Sequence, residues 1–298
     1  MIDAPGMTGR YRPAGSLAAD GWSVVLTPEE AGWGFTGLRA GNLAAGATLA
    51  FDSGADEIAV LPLEGGFDVV VDGEQYRLVG RPSVWAGPSD FVYAPPGSSV
   101  QVASNAGGRF VVATARAERR YPVRHVPASA VGVELRGAGP CSREVRNFAA
   151  ADRFEADRLI AVEVLSPGGN WGSYPPHKHD EVREGETDLE EIYHYVVADG
   201  PSGPGLAYQH VYGTIDRPID LLTTVRTGDV VLVPHGWHGP AMAGPGYDLY
   251  YLNVMAGPGE RAWRACDDPA HAWVRDTWAG QSLDPRLPFG RGGSGLSS

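Results

Sequence analysis

The sequence predicts an all-β protein made of two related sandwiches or barrels in tandem. Three observations lead there. The first is punctuation: 41 glycines and 24 prolines are scattered among many short β-type runs. Asp68-Val-Val-Val71, Val111-Val-Ala113, Ile192-Tyr-His-Tyr-Val-Val197, Asp229-Val-Val-Leu-Val233 and Leu249-Tyr-Tyr-Leu252 are examples. The second is the turn chemistry between them: Asp72-Gly73, Pro96-Gly97, Gly107-Gly108 and Pro245-Gly246. Short strands at close spacing with few long helical periods indicate a sandwich or barrel. The third is internal repetition. Asp68–Gly73 and Ser89-Asp-Phe-Val-Tyr-Ala-Pro-Pro-Gly97 parallel Ile192–Val197 and Gly228-Asp-Val-Val-Leu-Val-Pro-His-Gly236. Each half reads as a strand followed by a second strand that ends in a proline-glycine turn.

A chain of 298 residues has the length of two ordinary domains. Charged and small residues at 115–120 and 127–130 mark the expected boundary, giving domains 1–128 and 129–298. A helical pattern is expected only around Ala262 to Trp278, and the tail Gly290–Ser298, rich in glycine and serine, is expected to be disordered.

A net charge of −12 argues against a nucleic-acid partner, because phosphate backbones recruit basic faces. No apolar run approaches the ~18 residues that a membrane span requires. The N-terminus carries neither a basic nor an apolar signal region, and Cys141 and Cys266 lie far apart in no metal-like spacing. A cytoplasmic protein with reduced thiols is the expectation, and homo-oligomerisation is open to it. Such an acidic chain can bind a small carboxylate only through locally placed Arg or Lys.

His177 and His179 carry the chemistry. On an extended strand a His-x-His pair puts both imidazoles on one face, with Cα atoms roughly 6.6 Å apart. Both rings can then reach one metal ion at about 2.0–2.1 Å. Six of the eight histidines fall between His177 and His238, so the second half is expected to hold metal and the first is not. Glu190 or Glu191 and His235 or His238 are the further candidates. Adjacent strand residues face opposite sides, so only one of the two glutamates can ligate. Three imidazoles and a carboxylate leave room for substrate at the ion, as a catalytic site requires.

Gly172-x4-His177-x-His179, then an acidic residue, then Gly228-x5-Pro234-x-Gly236-x-His238 resembles the two cupin motifs. The acidic residue is displaced by the insert Asp180–Leu189, which a longer hairpin would absorb. Longer stretches are similar to the 5-deoxyglucuronate isomerases of inositol catabolism. They are Arg136-Gly-x-Gly-x-x-Ser-Arg-x-Val-Arg-Asn147, Glu163–Trp171, Ser173-Tyr-Pro-Pro-His-Lys-His-Asp180, Leu189-Glu-Glu-Ile-Tyr193, Tyr247–Gly257 and, in the first half, Gly87–Gly97. The resemblance implies a bicupin fold, two jelly-roll barrels in tandem. It also implies isomerisation of 5-deoxy-D-glucuronate to 2-deoxy-5-keto-D-gluconate and a divalent metal held by His177, His179, Glu191 and His238. Zinc is the first expectation for that ion, with manganese or iron as alternatives.

For the proton transfer that isomerisation needs, Glu190, His210 and Tyr193 are the candidates. Arg143, Arg146 and Lys178 are the candidates for the substrate carboxylate; an arginine fork matches that group better than a lysine point charge. Two other functions share these ligands. One is an iron-dependent cupin dioxygenase, which would consume oxygen; the other is a sugar-binding bicupin, which would turn nothing over.

Overall fold

The computed structural model describes residues 9–290. Two sheets stack face to face across the middle of the molecule. One is built mainly from the first half, in the order Arg124–Val126, Phe91–Ala94, Asp56–Val71, Gly108–Arg116, Thr36–Leu43, Val24–Leu26. The other orders Tyr11–Arg12, Val230–Val233, Glu190–Val197, Leu249–Ala256, Ile160–Ser166, Arg143–Ala149 and Gly132–Arg136. All the pairings are antiparallel. A smaller sheet closes each half on the outer side, as a jelly roll requires.

Strand alternation divides most of the apolar residues among three main cores, with a small fourth cluster of Ile160, Leu189 and Met255. Ile192, Val196, Leu252, Val254, Leu61 and Ala113 belong to the largest, which lies between the two stacked sheets and takes residues from both halves. Phe67, Val69, Val100, Val102 and Phe110 fill the first half's own interior. Tyr193, Tyr195, Val211, Val231 and Tyr251 line the second. Successive side chains on each central strand therefore point alternately to the shared core and to a private interior.

The halves also exchange their leading strands. Tyr11–Arg12, which precedes the first half, pairs with Val230–Val231 of the second. Arg124–Val126, which precedes the second half, pairs with Phe91–Tyr93 of the first. The boundary expected near residue 128 is thus crossed by the N-terminal strand. Two carboxylates repeat this reciprocity. Glu57 of the first half accepts hydrogen bonds from the backbone N–H groups of Asp157, Arg158 and Leu159 at 2.9, 2.6 and 2.6 Å. Glu190 of the second accepts from Gly34, Phe35 and Thr36 at 2.7, 2.9 and 2.9 Å.

The repeat is real, but its register differs from the one expected. Phe91–Ala94 and Val230–Val233 do occupy equivalent places. The counterpart of Ile192, however, is Ala59 rather than a residue of 68–73: Ile58 pairs with Ala94 as Glu191 pairs with Val233. The cause is the length of Asp56–Val71, a 16-residue strand that runs through both of its sheets. An isoleucine therefore stands where the second half has Glu191.

The C-terminal region also departs from expectation. Residues 272–280 form a 3₁₀ helix, and Cys266–Asp267 is a short strand beside His177–Lys178. Asp268-Pro269 breaks the helical pattern ahead of it, since the residue before proline avoids the helical region. Apart from Gly290, the tail expected to be disordered lies outside the described residues. No helix among the described residues is long and apolar enough to cross a membrane.

Candidate metal centre and substrate cavity

Three elements bring the site together. His177 sits directly across from His238 on neighbouring antiparallel strands. His179 follows two residues later, and Glu191 enters from the Glu190–Val197 strand. The insert between His179 and Glu191 folds into a hairpin of Asp180–Arg183 and Glu186–Asp188, which returns the chain to the site. Glu191 lies 3.1 Å from His179 Nε2 and 2.9 Å from His238 Nε2. Ligand atoms of His177, His179 and His238 all lie within 4.8 Å of one another.

The donor chemistry fits a cation. Nδ1 of His177 faces the Pro175 carbonyl at 3.3 Å, that of His179 the Leu189 carbonyl at 3.2 Å, and that of His238 the Gly236 carbonyl at 3.2 Å. Donation from each Nδ1 to its carbonyl would leave Nε2 as the acceptor, the usual outer support of a metal-binding histidine. His238 Nε2 is buried and has no hydrogen-bond partner despite its closeness to Glu191. Acceptors converging on one point need a positive charge between them. Burial and the two neighbouring imidazoles push His177 well below its ordinary pKa. Burial pulls His179 down too, but the negative carboxylate of Glu191 beside it outweighs burial and leaves the ring raised.

Beside this cluster opens a cavity of about 870 Å³, lined by His177, Glu191, Ser173, Tyr193, Tyr251, Asn253 and Arg143 among others. Such a volume suits a small organic ligand. Arg143 is buried, donates to the carbonyls of Cys141 at 3.0 Å and Tyr174 at 3.4 Å, and has no carboxylate partner among the described residues. Burial lowers its pKa, and the nearby guanidinium groups of Arg136 and Arg275 add to the effect. A bound anion would relieve both influences.

The remaining sequence candidates lie elsewhere. Glu190, one residue from Glu191, points to the opposite side of the strand, accepts from the three amides of residues 34–36 and does not line the cavity. His210 lies between buried Gln209 and Val211, hence on the outer face, where it stacks on Tyr212 with centroids 4.7 Å apart. Arg146 is wholly buried between the halves, paired with Glu144 at 2.7 Å and donating to the carbonyls of Val84 and Gly87. Lys178 points away from the His pair, as alternation requires. It is not solvated, because the hairpin folds over it and supplies Asp180 at 2.7 Å, Glu186 at 2.8 Å and Glu181 at 3.2 Å. Of the proton-transfer candidates only Tyr193 lines the cavity. His235 stays in its turn, outside the His triad.

Ser173, Tyr251 and Asn253 line the cavity without having been singled out in the sequence. Alternation along Leu249–Ala256 would have found two of them, since Tyr251, Asn253 and Met255 share a face.

Comparison with known proteins gives the family. A model of the KduI/IolB family matches residues 11–274. The 5-deoxy-glucuronate isomerase of Geobacillus kaustophilus (strain HTA426) is 41% identical over 268 residues, which cover 89% of this chain and 95% of that protein. The protein of the same name from Bacillus subtilis (strain 168) is 36% identical over 236 residues, 78% of this chain and 85% of its own. Among solved structures, an IolB-like protein from Salmonella typhimurium LT2 superposes with a TM-score of 0.81 at 34% identity, covering 89% of this chain and 98% of the other. An oxalate decarboxylase of Bacillus subtilis shares the fold alone, with a TM-score of 0.62 at 12% identity over 89% and 81% of the two chains. The chain is a bicupin and belongs to the KduI/IolB family.

Proposed function

We propose that this protein is an aldose–ketose isomerase that converts 5-deoxy-D-glucuronate to 2-deoxy-5-keto-D-gluconate in inositol breakdown. The observation that carries the reading is one cavity lined by two unlike groups. His177 and Glu191 of the histidine–glutamate cluster line it, and so does Arg143, a buried arginine without a carboxylate partner among the described residues. A substrate with an aldehyde and hydroxyl at one terminus and a carboxylate at the other matches both. A divalent ion at His177, His179, Glu191 and His238, zinc first among the alternatives, would polarise the carbonyl and its neighbouring hydroxyl. Arg143 would hold the carboxylate, and Tyr193 would donate a hydrogen bond to a substrate oxygen. A cytoplasmic place of action belongs to the same proposal and is supported by the two free cysteines.

Product analysis after incubation with 5-deoxyglucuronate tests the reading. The expected result is the ketose without oxygen uptake or any nicotinamide or flavin. Unchanged substrate, together with oxygen consumption on another compound, would replace the isomerase by a dioxygenase. In D2O the product should carry deuterium at the new CH2OH carbon, because the proton that leaves one carbon and returns to the other can exchange on the way. Complete absence of label would point to hydride transfer and leave the isomerase assignment standing.

Arg143→Ala should weaken substrate binding by about 1.5–3 kcal/mol, the worth of a charge-assisted contact, seen as a tenfold or greater rise in KM. Arg146→Ala should act on stability instead. An Arg143→Ala protein with unaltered KM and kcat/KM would remove Arg143 from the site.

A further inference from the structure

Three hydroxyl groups in the cavity form a connected chain. Ser173 Oγ lies 3.2 Å from Tyr193 Oη and 3.1 Å from Tyr251 Oη. All three residues are buried and all three line the cavity beside Glu191. Resting on the isomerase reading above, we propose that Tyr193, Ser173 and Tyr251 form a proton relay between the two oxygens of the reacting substrate.

Aldose–ketose isomerisation moves two hydrogens. One passes between carbons. The other must leave the hydroxyl oxygen, which becomes the ketone, and reach the aldehyde oxygen, which becomes the new hydroxyl. These oxygens sit on adjacent carbons, so two hydroxyls joined through a third can close a ring with them. The substrate hydroxyl gives its proton to one tyrosine, which passes its own to Ser173. Ser173 passes its proton to the other tyrosine, which protonates the former aldehyde oxygen. As many O–H bonds form as break, nothing is oxidised or reduced, and no hydroxyl of the protein needs to ionise. A chain with a phenol at each end runs equally well in either direction, as a reversible isomerisation demands.

The backbone around Ser173 is built to hold this arrangement. Ser173 has φ of +48°, in the left-handed region that residues other than glycine seldom adopt. A Cβ on Gly172 would stand 2.5 Å from Tyr251 Oη, so only glycine there lets the phenol reach the serine. Strained backbone at a functional site persists where the surroundings over-determine it. A serine held in this conformation between two buried phenols has no evident packing purpose. In the relay it is a positioning residue, because it acts through the tyrosines.

The test uses the full-length, metal-loaded protein. Ser173→Gly removes the hydroxyl and relaxes the backbone, so folding should survive; Tyr251→Phe is the second variant. Both should lower kcat by about 10²-fold, the low end for positioned proton transfer. Metal content by elemental analysis should not change in either variant. In Ser173→Gly, whose serine touches only the tyrosines, KM should stay within threefold of the parent and affinity for product by calorimetry should not change. A proton inventory of kcat in mixed H2O and D2O should be curved for the parent and linear for Ser173→Gly. If kcat stays within twofold in both variants, the relay is wrong. It is equally wrong if the fall in kcat accompanies loss of metal in either variant, or loss of product affinity in Ser173→Gly, since the chain would then be scaffolding. A parent protein that fails to turn over 5-deoxyglucuronate at all refutes the isomerase reading itself, which separates the two failures.

Discussion

Elemental analysis of the His177→Ala/His179→Ala variant should find it without bound divalent ion, against one ion per chain in the parent. Activity should fall with it. An ion that polarises a carbonyl is worth several kcal/mol in the transition state, which is on the order of 10³-fold or more in rate. Folding should survive the change, because the largest core lies between the sheets and not round the histidines. The first half should contribute no ion, since Phe67, Val69 and Phe110 fill its interior and Ile58 stands at the register position of Glu191. Two ions per chain, or full metal content in the double variant, would rule out this site.

The largest loss of stability should come from a residue that touches no substrate. Glu163 and Arg81 form an ion pair across the two halves with side chains 0% and 2% exposed, and Tyr250 donates to Glu163 at 2.9 Å. Glu163→Ala strands a buried guanidinium. Removing one partner of such a pair costs about 3–5 kcal/mol, which should lower the melting midpoint on the order of 10 °C. The variant should keep its metal at low temperature, because Glu163 faces the shared core while the ligands face the second interior. A midpoint within 2–3 °C of the parent would show that the pair contributes little. Restoring neutrality with Arg81→Met/Glu163→Leu should recover much of the loss.

Much of this was legible in the sequence. His-x-His spacing, a downstream Pro-x-Gly-x-His and the crowding of histidines into one half mark the histidine cluster in the sequence alone. Glutamate choice is harder. Glu190 and Glu191 have the same chemistry, and only the side of the strand separates the neighbour of His179 and His238 from an interdomain staple. Arg143 and Arg146 pose the same problem: both are buried, but one opens into the cavity and the other is neutralised between the halves. Lys178 shows the limit of alternation, which gives the direction of a side chain and not what lies there. The acidic hairpin that covers it is set by tertiary folding. The repeat was detected yet placed nine residues off, since a strand that crosses two sheets offers two similar β-type stretches to match.

The exchanged strands have a consequence for synthesis. Tyr11 leaves the ribosome 218 positions ahead of its partner Asp229. At elongation rates of about 5–20 residues per second, that separation is a wait of roughly 10–40 s. Throughout it the first half must hold one whole sheet face and its leading strand uncovered. The first half is therefore not a spare copy that a gene could shed: its leading strand completes the sheet of the second half.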